Sequence, residues 1–118
     1  MKLNEEQIAQ YHRDGYVLVK GFCSKEETNK LYKVAIEDEA MSKNAMDLND
    51  QSGKKTRLSL WFKPGNDVFG YLTRSEKMVN SVGQLLEGEA PVCHFHSKLM
   101  QKEHKVGGAW EWHQDYGY

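Results

Sequence analysis

Trp112-His113-Gln114-Asp115-Tyr116-Gly117-Tyr118 are the last residues of this 118-residue chain, and they hold its most informative pair. Side chains at i and i+2 of a β-strand leave from the same face. On a strand, His113 and Asp115 would therefore offer an imidazole nitrogen and a carboxylate oxygen to one ion. Those are two of the three ligands of the 2-His-1-carboxylate facial triad, which holds non-haem Fe(II) and keeps positions open for oxygen and a co-substrate. The third ligand, a second His, is expected later in a chain, and no His follows His113. The pair alone is a weak signal. His-x-Asp should arise by chance in roughly one chain in ten of this size, so the surrounding sequence must carry the reading.

Working back from the motif, Trp110 to Asp115 is expected to begin a strand, joined by a Gly107-Gly108 connection to a long strand over Pro91 to Gln101. Alternation along that strand puts Val92, His94, His96, Lys98 and Met100 on one face, with Cys93, Phe95, Ser97, Leu99 and Gln101 on the other. Leu58 to Phe62 is a further strand candidate, stopped by the turn signal Pro64-Gly65-Asn66-Asp67. Tyr16 to Phe22 is a short β-rich run. Helices are expected elsewhere. Asn4 caps one whose first turn holds Glu5 and Glu6, with Gln7 in the capping-box position and Gly15 as its stop. Ser24 opens a second with Glu27 three residues on, and Leu31, Val34 and Ala35 mark its inner side. A short helix near Val68 to Leu72 leads to a longer one from Ser75, ended by Gly88, with Met78, Val79, Val82, Leu85 and Leu86 as its apolar face. The polar stretch from about Ala40 to Lys55 reads as a loop. Helices first and strands gathering late predict an α+β chain.

Composition narrows the function classes. With 39% hydrophobic and 28% charged residues, the sequence has a globular balance and room for one domain. A net charge of −1 and three scattered arginines, Arg13, Arg57 and Arg74, give no footing for nucleic acid or an anionic membrane. No apolar run approaches membrane-spanning length. Two cysteines, Cys23 and Cys93, point to reduced thiols in a cytoplasm rather than a disulfide scaffold. Ending among Trp110, Trp112, Tyr116 and Tyr118, side chains that need burial, the chain is expected to carry only part of a domain. Residues 1–90 would form a helical flank with short strands, and 91–118 the first core strands carrying the metal motif. An unfinished sheet leaves an open edge, so self-association is also expected.

Several segments in order carry a resemblance. They are Asp14-Gly15-Tyr16-Val17-Leu18-Val19-Lys20-Gly21-Phe22 after the opening helix, the Ser24-capped helix, His96-Ser97-Lys98-Leu99-Met100-Gln101-Lys102, Gly107-Gly108, and Trp112-His113-Gln114-Asp115-Tyr116. In this arrangement the chain resembles the phytanoyl-CoA dioxygenase family of Fe(II)/2-oxoglutarate oxygenases, up to the family's first metal motif. The resemblance implies N-terminal helices packed on the start of a double-stranded β-helix (jelly-roll) core. It also implies a reaction in which O2 and 2-oxoglutarate are consumed, a C–H bond of a small organic or acyl substrate is hydroxylated, and succinate and CO2 are released. By the same resemblance His113 and Asp115 are iron ligands. Gln114 approaches the co-substrate, and Lys98, His96 and Arg57 are candidates to line its pocket. The family's distal His and the Arg for the far carboxylate of 2-oxoglutarate have no counterpart in this sequence, so the chain alone is expected to be inactive.

Three rival readings stand beside it. A zinc site from Cys93, His94, His96 and His104 is disfavoured because strand alternation turns Cys93 away from the two histidines and the spacing fits no finger. A binding module using the same fold without metal remains open. A cupin-type sugar enzyme would carry His-x-His where Asp115 stands here.

Overall fold

The computed structural model describes residues 2–37, 45–49, 53–88, 90–102, 104 and 112–113. It divides into two units, Met1–Glu37 with Trp61–Ser97, and Asp38–Leu60 with Lys98–Tyr118. The described elements are four helices and three strands, an α+β composition as expected.

The first unit is helical. α1 spans Glu5–Asp14 and starts at a complete capping box. The Asn4 side chain accepts the Gln7 backbone N–H at 2.8 Å, and the Gln7 side chain accepts the Asn4 N–H at 3.0 Å. Gly15 ends it in the left-handed region at φ 79°, a conformation that a Cβ disfavours. α2, Lys25–Glu37, begins with a second reciprocal box. Ser24 Oγ accepts the Glu27 N–H at 3.1 Å, and Glu27 Oε2 accepts the Ser24 N–H at 2.8 Å. α3, Val68–Arg74, is capped by Asp67, whose carboxylate accepts the Gly70 N–H at 2.8 Å. α4, Glu76–Leu86, follows after one residue. That residue, Ser75, serves both helices: its hydroxyl donates to the Leu72 carbonyl at 2.7 Å and accepts from the Met78 N–H.

Packing runs α1 on α4, α4 on α3, and α3 on α2. Two polar anchors reinforce it. The Gln84 amide grips the backbone of Leu3 at both ends, accepting its N–H at 2.8 Å and donating to its carbonyl at 3.1 Å. Leu3 is 6% exposed, the one hydrophobic side chain in the most buried class among the described residues. Lys77 of α4 donates to the Phe22 carbonyl at 3.1 Å, pairs with Glu27 of α2, and lies over the Phe22 ring. Before α3 the chain folds tightly on itself. A Cβ at Gly70 would collide with the backbone of Gly65, so only glycine fits there.

A three-stranded sheet has the order β1-β2-β3, with β1 Met46–Asn49, β2 Lys55–Trp61 and β3 Ser97–Gln101. β1 and β2 are antiparallel, with Met46 opposite Leu58 and Asp47 opposite Arg57.

Several expectations are corrected. Met46–Asn49 lies inside the stretch read as loop; cross-strand pairing with β2 overrides the low strand propensity of Asp and Asn. Tyr16 to Phe22 forms no strand: residues 16–19 have no regular structure and lead into a turn with Gly21 at φ 71°, and Tyr16 and Leu18 are exposed rather than packed on a sheet. β2 begins earlier than Leu58, and α3 runs past Leu72 to Arg74. The stop of α4 is Glu87 in the left-handed region at φ 45°, one residue before Gly88. The long strand from Pro91 shrinks to Ser97–Gln101, and the residues before it make local side-chain contacts. Cys93 Sγ donates to the Pro91 carbonyl at 3.6 Å, and His94 Nε2 meets Ser97 Oγ at 2.8 Å. Of the strand expected over Trp110 to Asp115, Trp112 and His113 are described and lie outside any strand; the others fall outside the described residues.

Candidate functional site

His113 is exposed, and its neighbour Trp112 is fully exposed rather than packed on a sheet as the sequence reading expected. Gln114 and Asp115 lie outside the described residues. The donor chemistry fits Fe(II). An imidazole nitrogen and a carboxylate oxygen are ligand types that this ion takes. Among the described residues, no three His, Cys, Asp or Glu side chains are grouped to hold a metal.

The remaining candidates divide between the units. Arg57 and Lys98 belong to the second, with His113, whereas His96 belongs to the first. Arg57 lies on β2, where the ladder sets it opposite Asp47, and its Nε stands 3.8 Å from Asp47 Oδ1. Both side chains are about half exposed, so the pair is one that water screens. By resemblance Arg57 is a candidate for the co-substrate pocket, and its partner Asp47 falls in a polar stretch whose composition reads as a loop. The alternation Met46-Asp47-Leu48-Asn49 was the signal available. Lys98, the second residue of β3, is exposed, which suits an ammonium that meets a dissolved carboxylate.

His96 is exposed and sits in an aromatic group, with its ring centroid 4.8 Å from that of Phe95 and 6.3 Å from that of Phe62. His94 was expected on the same strand face as His96, yet the two differ: His94 is half-buried and bonded to Ser97. Its Nδ1 is buried and finds no hydrogen-bond partner among the described residues.

The clearest electrostatic feature lies away from these residues. Glu27 is held below the ordinary carboxylate range, first by the hydrogen bond from Lys77 and then by the Ser24 backbone N–H. Neighbouring Glu26 is lowered too, chiefly by its own backbone N–H and the Ser24 hydroxyl. Both shifts belong to the start of α2 and support the fold.

Both thiols, Cys23 and Cys93, are free, and among the described residues no helix is long and apolar enough to cross a membrane. No curated protein and no solved structure matches the chain. The phytanoyl-CoA dioxygenase (PhyH) family, in contrast, matches over residues 11–118, from the middle of α1 through the His-x-Asp motif. The chain belongs to the phytanoyl-CoA dioxygenase family.

Proposed function

We propose that this chain supplies His113 and Asp115 as two iron ligands of an Fe(II)/2-oxoglutarate-dependent dioxygenase acting on a small organic or acyl substrate. The family match across 11–118, which takes in the motif, carries the reading. When bound, Fe(II) with O2 and 2-oxoglutarate supplies the oxidising power to hydroxylate an unactivated C–H bond.

The protein's own part is positioning. His113 and Asp115 would hold the ion through an imidazole nitrogen and a carboxylate oxygen. Lys98 offers an ammonium to a co-substrate carboxylate, and Gln114, between the ligands, offers an amide hydrogen bond. Arg57 is a second cation for such a carboxylate, which would have to compete with Asp47 for it. His96 contributes a ring N–H in this reading. Free thiols suit a reducing compartment such as the cytoplasm.

Anaerobic calorimetric titration with Fe(II) tests the assignment. The wild-type chain should bind one Fe(II) weakly and form no succinate from 2-oxoglutarate, since two protein ligands do not close a facial triad. His113→Ala and Asp115→Ala should each weaken binding roughly tenfold or more. Equal binding by all three chains would remove the iron assignment and favour a metal-free binding module of the same family.

A further inference from the structure

We draw no further inference here: the strongest candidate, the open and largely apolar groove of about 250 Å³ between α2 and α3, lined by Leu31, Val68 and Leu72 with Lys30 beside them, carries nothing because the structure does not show what covers it.

Discussion

Lys77 ties three segments together with one ammonium. It meets the Phe22 carbonyl, the Phe22 ring and the Glu27 carboxylate, and its side chain is only 18% exposed. The contact gives stability a pH dependence whose direction follows from Glu27. A carboxyl group held below its ordinary value near 4.5 contributes stability that is present above that value. It is lost as pH falls through the lowered native value. Thermal melts of the wild type should therefore fall in midpoint below about pH 4.5, and Lys77→Met should lower the neutral-pH midpoint while shrinking that acid-side fall. An unchanged acid profile in the variant would detach Lys77 from the effect. Glu26 keeps its own backbone and Ser24 contacts in the variant, so part of the acid dependence should persist. None of this was legible in the sequence beyond the Ser24/Glu27 box, because Lys77 lies 50 residues from Glu27.

At the scale of elements, local chemistry was readable and pairing was not. Asn4 with Gln7, Ser24 with Glu27, and Ser75 before α4 act within three residues of themselves, and all three caps form where the sequence placed them. The strands answer to partners far along the chain. Tyr16 to Phe22 has β-rich composition but pairs with nothing among the described strands, while polar Met46–Asn49 pairs with β2. The helical layer offers its own test at Gln84, whose amide holds the backbone of Leu3 from 81 residues away. Gln84→Met keeps the length of the side chain and removes both bonds, leaving a partly buried N–H and carbonyl without that partner. The loss should be about 1–3 kcal/mol, concentrated in α1. Native-state hydrogen exchange should show α1 amides exchanging roughly tenfold faster, with α3 little changed. Equal acceleration in both helices would mean that Gln84 serves global stability rather than the docking of α1.

For the whole molecule, burial and family membership bear on each other. Large apolar side chains stand in water in both units: Leu18 at 70% and Phe95 at 81% in the first, with Met46 and Leu60 in the second. Exposed apolar surface on this scale favours association. The chain should elute from size-exclusion columns as concentration-dependent oligomers, and a monomer at every concentration would contradict that. The α+β composition and the family were legible in the sequence, from the helix caps and the motif order. The placement of Arg57 against Asp47 and of His94 against Ser97 was not, since each depends on a strand boundary that local propensity misjudged.

The central assignment, that His113 and Asp115 receive a divalent ion, is tested most directly by proton NMR with Mn(II) as a paramagnetic stand-in for Fe(II). This readout suits weak binding, because brief visits by the ion broaden nearby resonances. The account predicts broadening centred on the His113 ring and the Asp115 amide at the lowest Mn(II) additions, abolished in Asp115→Ala. Broadening centred on His94 or His96, or an undisturbed His113, would contradict it.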